Sequence, residues 1–245
     1  MHPILTRQLA ADFCCCEHDV LDAHHHFTVF TPHPDRRQYL EVTPCILKIA
    51  VVNGKLLFTG RADVIARCRE AFVNASAPWF MEAGSIRDLN ALLMNFGARV
   101  DRTRPYYICD AAAPVDTHSF DIARYDADAI QRLFRGNAQF HNAYGFEETA
   151  PDVVGVSASV DGKLLGMAGA SADSPFLWQI GIDVLPEARG QGIAKMLVAL
   201  LRNDIIAAGR LPYYSTGIAH IASQRVALRA GFLPAWFEIV ASPIR

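Results

Sequence analysis

Apolar residues along the chain recur at either helical or strand spacing, and the changes between the two mark out its elements. Leu9, Phe13, Cys16, Val20 and Ala23 return at three- and four-residue intervals, which predicts a helix over residues 6–26. TPHPDRRQYL, residues 31–40, holds two prolines and reads as a loop. In CILKIAVVNGKLLFTG two apolar runs flank Asn53-Gly54, a strong hairpin signal. ADVIARCREAFVNA reads as an amphipathic helix closed off by Pro78, and IRDLNALLMNFGARV as a second that ends at Gly97. Residues 103–108 follow as a short strand.

The run DAAAPVDTHSF, rich in small residues and carrying Pro114, then breaks the pattern. It suggests two units, an α+β unit over 1–115 and a second over 116–245, and a chain of 245 residues suits two units of ordinary size. Past the break, DADAIQRLFRGN reads as a helix, and PDVVGVSASVDGKLLGMAGASAD as two strands joined at Asp161-Gly162. LWQIGIDVL is a continuous apolar strand, followed by a glycine-bearing turn and the long apolar helix GIAKMLVALLRNDIIAAG. PYYSTGI is a further strand, SQRVALRA a helix closed by Gly231, and FLPAWFEIV the last strand.

Composition narrows the classes. Apolar residues make up 51% and charged residues 20%, as in a soluble folded protein and unlike a disordered chain. The net charge is -2, with Lys and Arg scattered, so no basic stripe marks a nucleic-acid partner. The opening MHPILTRQLAADFCCCEHD is interrupted by Arg7, Asp12, Glu17 and Asp19 and reads as neither signal peptide nor membrane span. A cytoplasmic protein without a membrane partner is the expectation. Cys14, Cys15 and Cys16 are consecutive, and Cys45, Cys68 and Cys109 isolated, which does not form a secreted disulfide framework. Cys14 and His18, like Asp22 and His26, stand one helical turn apart and invite a metal. Successive cysteines on a helix point in different directions, so the plainer reading is buried thiols with a His-rich end, and no metal is assigned.

The segment after LWQIGIDV carries the chemistry. The chain passes Pro186 and enters a helix through Arg189-Gly190-Gln191-Gly192. First-turn amides have no partner inside their own helix, and the helix dipole adds positive potential at that end. Glycines at 190 and 192 let an anion approach the backbone, so a phosphate-bearing ligand is expected. Ile193-Ala194 stand where a P-loop needs Lys and Ser or Thr, and a dinucleotide fingerprint needs a third glycine.

The segment resembles the GNAT superfamily of acyl-CoA-dependent N-acyltransferases. That family's coenzyme loop corresponds to Arg189, Gly192 and Ala194, with Val184-Leu185-Pro186-Glu187 leading in. Ser223-Gln224-Arg225-Val226-Ala227-Leu228-Arg229-Ala230-Gly231-Phe232 is similar to its penultimate helix, so the resemblance spans residues 116–245. It implies a mixed α/β fold, a twisted central sheet flanked by helices, preceded here by the smaller α+β unit. It also implies acetyl-CoA as co-substrate, lying where LWQIGIDV and PYYSTGI splay apart. Ile182 and Val184 would line the thioester, Arg189, Gly190, Gln191, Gly192, Ile193 and Ala194 the pyrophosphate, and Ser223 and Arg225 would add contacts. A backbone amide there would stabilise the oxyanion as an amine attacks.

The chain departs from its relatives at the proton-handling positions. Ala227 stands where many have a Tyr acid, His220 where an Asn is common, and Trp178 or Gln179 where some place a Glu. Asp183, a polar intruder near the end of a strand expected to be central, His220 and Tyr214 are the replacements assigned, with Tyr213 the alternative on the same strand. The expected reaction is acetyl transfer to a primary amine of a small molecule or peptide by direct attack in a ternary complex. No acidic patch marks a polycationic acceptor, which favours a small-molecule amine. A catalytically degenerate acyl-CoA-binding sensor or scaffold is the alternative, and a third reading makes the first unit a binding module with its own ligand. Pairing through the last β segment would make a homodimer.

Overall fold

The computed structural model of the chain describes residues 1–37, 45–136 and 138–244. Residues 38–40 of the expected loop and Asn137 at the end of the expected helix lie outside the described residues. Contacts divide the chain into two compact units, residues 1–106 with 235–245, and residues 107–234.

The first unit begins with α1 (Pro3–Asp12) and α2 (Glu17–Leu21), followed by strand β1 (His26–Val29). The single helix expected over 6–26 is thus two helices and the start of a strand. Cys14 is left-handed with φ 52°. Its Sγ accepts from the Thr31 amide at 3.3 Å and from Arg36 at 3.1 Å, while the buried Asp12 carboxylate takes the Arg37 amide at 2.9 Å. Polar partners outside the helix outbid its continuation, and Cys16 begins α2 by donating its amide to Asp19 at 3.0 Å.

The hairpin at Asn53-Gly54 is present between β2 (Leu47–Val52) and β3 (Lys55–Gly60), with φ of 50° and 78° at the two turn residues. Helices α3 (Ala62–Phe72) and α4 (Ala83–Met94) follow, then the long strand β4 (Ala98–Ile108). The strand order in this unit is β1-β3-β2-β10-β4, where β10 (Leu233–Pro243) is the last strand of the chain. Phe27, Phe58, Phe72 and Phe80 stack or meet edge-on in its core.

The second unit runs β5 (Asp121–Asp126), α5 (Ala127–Phe134), β6 (Asp152–Val160), β7 (Lys163–Ser171), β8 (Leu177–Val184), α6 (Ile193–Ala207), β9 (Leu211–Ser215) and α7 (Ile221–Arg229). Its strands lie in the order β9-β8-β7-β6-β5, antiparallel except for β8 against β9. This is the expected mixed sheet flanked by helices. β5 is an added strand, and residues 110–117 form no regular element before it. Helix α6 packs its buried Leu197, Val198 and Leu201 into the core, so one face of the sheet is dry.

Candidate functional site

Helix α6 starts at Gly192, whose φ of 84° is left-handed, as is the 82° of Gly190. The first helical bond is Met196 N–H to Gly192 O at 3.0 Å, so the amides of Gly192, Ile193, Ala194 and Lys195 have no acceptor within the helix. A Cβ placed on Gly190 or Gly192 would meet nothing within 4 Å, so the turn is open beside both glycines. Arg189 is exposed and donates Nε–H to the Val184 carbonyl at 3.3 Å, tying the turn to the end of β8. Gln191 is exposed and Ile193 buried beneath the turn. An open set of N–H groups at the positive end of a 15-residue helix is a fit for a diphosphate.

The two parallel strands part beside this turn. β8 and β9 pair through Leu177 with Leu211, Trp178 with Pro212 and Gln179 with Tyr213, and no pair follows. β8 continues to pair with β7 as far as Val184. The edge of β8 from Ile180 onward, including Ile182 and Val184, therefore faces a gap. Ser215 ends β9 on the other side of that gap, and its Oγ is buried with no hydrogen-bond partner. Buried hydroxyls are nearly always bonded, so this one has capacity for a partner beyond those the chain supplies.

The two faces of the sheet differ at this point. A Cβ on Gly166 would lie 2.9 Å from Cγ2 of Ile193, so Gly166 and its partner Val184 look toward α6, together with Ala168, Ile180 and Ile182. Gln179, Gly181 and Asp183 look the other way. There Asp183 accepts from the Asn142 amide at 2.7 Å, from the Asn142 side chain at 2.6 Å and from the Ala143 amide at 3.2 Å. Gly155, Gly169 and Gly181 are direct neighbours across β6, β7 and β8 and form a track without side chains. A Cβ on Gly181 would come within 1.9 Å of the Asn142 carbonyl, on Gly169 within 2.2 Å of the Ala143 carbonyl, and on Gly155 within 2.0 Å of the Tyr144 hydroxyl. Residues 142–144 thus lie in the track. Asp152 holds the chain beyond them through the amides of Gly145 at 3.3 Å and Phe146 at 2.8 Å.

Tyr214 points to the core face, with its hydroxyl 2.9 Å from Ser223 Oγ on α7. Burial pushes its phenol above the ordinary value and the Asp183 charge adds to this, while the Ser223 hydroxyl works against it. Tyr213 points the opposite way, and its hydroxyl donates to the buried Asp173 and lies 3.0 Å from Gln179 Oε1. His220 precedes α7, exposed, with Nδ1 3.3 Å from Thr216 Oγ1. Arg225 is exposed on α7 and Ala227 is buried. The sequence reading did not single out residues 142–144 or Ser215. Glycines inside three successive apolar strands were the available signal, since a strand glycine often marks a close backbone approach.

Of the residues that invited a metal, Asp22 and His26 meet in the first unit, joined by Asp19. Asp19, Asp22 and His26 bring ligand atoms within 4.8 Å of one another. The buried Lys55 ammonium occupies this place, bonded to the Asp22 carboxylate at 2.9 Å, to the Asp22 carbonyl at 2.8 Å and to the Asp19 carbonyl. His26 Nε2 lies 3.0 Å from the same carboxylate. Burial disfavours the charged Asp22, yet the bonds from His26 and Lys55 hold its carboxyl well below the usual range. The cation that pairs with the Asp22 carboxylate is a lysine. Among the described residues no helix is long and apolar enough to cross a membrane.

No curated protein matches the chain. Among solved structures it is similar to a protein of the GNAT family from Novosphingobium aromaticivorans, at 21% identity over 61% of this chain and 69% of that one, with a TM-score of 0.42. A GCN5-related N-acetyltransferase from Kribbella flavida shares 17% identity over 70% of this chain and 76% of that one, with a TM-score of 0.49. A GNAT-family acetyltransferase from Colwellia psychrerythraea shares 17% identity over 99% of this chain and 96% of that one, with a TM-score of 0.48. The model of the acetyltransferase (GNAT) family matches residues 117–232, the stretch that holds the glycine turn, the parting strands and α7. Residues 117–232 are therefore a domain of the acetyltransferase (GNAT) family.

Proposed function

We propose that this domain transfers the acetyl group of acetyl-CoA to the primary amine of a small molecule or peptide, by direct attack in a ternary complex. The observation that carries the reading is the open row of amides at the start of α6 beside the gap between β8 and β9. The diphosphate of the coenzyme binds the turn from Arg189 to Ala194, and Ser223 and Arg225 lie on α7 as further contacts. The thioester lies along the free edge of β8 at Ile182 and Val184. The amine nitrogen attacks the thioester carbon, a C–N bond forms, and the charge that develops on oxygen is met by a strand amide. The C–S bond then breaks, the ammonium loses a proton, and the leaving thiolate gains one.

Tyr214 is the proton donor in this scheme. Its hydroxyl reaches Ser223, one helical turn before Ala227, so a phenol from β9 stands close to where relatives carry one on α7. A phenol held above its ordinary value keeps its proton at neutral pH, as an acid must. His220 is exposed and takes the part of the base that receives the ammonium proton. The alternative, a coenzyme-binding sensor without turnover, draws on the buried Ala227 in place of that Tyr.

The test is the thermal midpoint with and without acetyl-CoA for the wild type and Gly192→Asp, each against its own ligand-free value, followed by an amine screen. A ligand that binds the folded state at a hundred times its Kd adds about 2.7 kcal/mol of stability. A rise in the wild type that is lost in the variant supports the coenzyme site. No rise at saturating acetyl-CoA refutes it, and a rise without acetylation of any amine favours the sensor.

A further inference from the structure

α6 packs on one face of the sheet beside the gap between β8 and β9, which leaves the other face for an acceptor. Two features on that face have no part in binding the coenzyme as assigned above. The first is the Asp183 carboxylate. Three N–H donors from Asn142 and Ala143 already occupy it, at 2.6 to 3.2 Å, which is the arrangement of an anchor and not of a free base. The second is the buried, unbonded hydroxyl of Ser215. Side chains alternate along a strand, so Ser215 shares the face of Tyr213, which bonds Gln179, the strand neighbour of Gly181 and Asp183. The glycine track brings the backbone of residues 142–144 down onto this same face.

We propose that Ser215 Oγ is a contact for the acceptor amine, and that Asp183 is a positioning residue that acts through Asn142. This rests on the acetyl-transfer reading above. Asp183 fixes residues 142–144 against β8, and the glycine track sets how deep they lie. The carbonyls and side chains of that segment then form the wall along which the acceptor enters. A hydroxyl left without a partner in the free protein gains one when the acceptor arrives, which converts a cost of folding into selectivity.

The roles are separable by exchange of the paired groups. Asp183→Asn keeps the shape but removes the charge and replaces one of the two acceptor oxygens with a donor, and Asn142→Asp added to it restores one carboxylate and one amide. Each protein is tested for acetyl-CoA midpoint shift, for KM and kcat with the best amine of the screen, and for backbone hydrogen exchange over residues 138–146. Asp183→Asn is expected to raise acceptor KM at least tenfold with faster exchange in that segment and an unchanged acetyl-CoA shift, and the double exchange to recover most of both. Ser215→Ala is expected to raise acceptor KM severalfold while the ligand-free midpoint holds or rises, because an unbonded buried hydroxyl has gone.

A loss confined to kcat that the double exchange does not recover makes Asp183 a catalytic residue and overturns the positioning role. Unchanged exchange in Asp183→Asn overturns it as well, whatever the activity. A weakened acetyl-CoA shift in Ser215→Ala gives the hydroxyl to the coenzyme and overturns its acceptor role, as does a wild type that binds acetyl-CoA and acetylates no amine. If the wild type shows no acetyl-CoA shift, the acetyl-transfer reading fails, and the exchange data still decide whether Asp183 holds residues 142–144.

Discussion

Arg202 donates from Nη1 to the backbone carbonyl of Ala230 at 2.7 Å, so a side chain of α6 caps the C-terminal end of α7. The guanidinium also reaches the Ala113 carbonyl at 3.3 Å and Asn203 Oδ1 at 2.8 Å, and Arg202 is 4% exposed, so these bonds replace water that it lost on folding. A positive charge at a helix C-terminus adds favourable dipole energy. Gly231 follows with φ 89°, and a Cβ there would come within 2.9 Å of Arg202 Nη1. Gly231 after α7 is in this way a packing requirement.

Arg202→Met should remove the cap while keeping most of the apolar stem. The expected cost is about 2–3 kcal/mol, the range for bonds to a charged group whose buried acceptor is then left alone. Gly231→Ala meets both a left-handed backbone and the guanidinium, and should cost at least about 1 kcal/mol. Urea unfolding of the full chain measures both. A change under 0.5 kcal/mol in Arg202→Met, taken as roughly the noise of a surface substitution, would remove the cap from the account.

The hairpin at Asn53-Gly54 and the glycine turn before α6 were legible because each is specified within a few residues. At both, the signal is a backbone angle that few residues adopt, with φ of 78° at Gly54 and 84° at Gly192. The break at Cys14 was not legible. It depends on Thr31, Arg36 and Arg37, residues 17 to 25 positions away that offer better partners than the helix does. Strand β5 was missed because DIARYD is mostly exposed or half-buried at the end of the strand order and lacks a clean apolar alternation. Asp183 was visible as a carboxylate that needed a partner, but its partner lies 41 residues earlier in a stretch without period. Lys55 shows the same limit. Its sequence place in a hairpin gave no hint that its ammonium would settle among Asp19, Asp22 and His26.

The first unit should be sensitive to acid through Glu238. This carboxylate is 3% exposed, bonded to Arg37 and to Trp236 Nε1 at 2.7 Å, with Lys48 Nζ at 3.9 Å. Arg37 also pairs with Asp12, and lies 5.2 Å from the rings of both Tyr106 and Trp236. Burial raises the Glu238 carboxyl, but Arg37 and Lys48 outweigh it and hold it at about 2, against 4.5 for the free group. A group depressed in the folded state contributes stability above its unfolded value and loses it as pH falls through the folded one. The window is therefore pH 4.5 down to about 2. The gap in unfolding free energy between wild type and Glu238→Gln should be largest near pH 7, on the order of 3 kcal/mol, and should narrow below pH 4.5. A gap that stays constant across this range would show that the charge of Glu238 has no role.

Tyr214 offers the clearest separation of coenzyme binding from chemistry. Its hydroxyl bonds to Ser223 at 2.9 Å and its ring sits near Phe232, with centroids 6.2 Å apart, so Tyr214→Phe keeps the packing and removes one hydroxyl. If the phenol gives the thiolate its proton, kcat should fall by roughly a hundredfold or more, the span of general-acid effects, while the acetyl-CoA midpoint shift stays. The pH dependence has a definite sign. An acid acts in its protonated form, and burial has raised the Tyr214 phenol, so activity lost to its ionisation should appear only above pH 10, the ordinary value. Removing the hydroxyl should erase any such alkaline limb. Ser223→Ala leaves the phenol in place without its partner, and should lower kcat less than Tyr214→Phe does. Equal kcat in wild type and Tyr214→Phe, with a leaving group as basic as the coenzyme thiolate, would mean that water protonates the product and that Tyr214 serves only to pack β9 against α7.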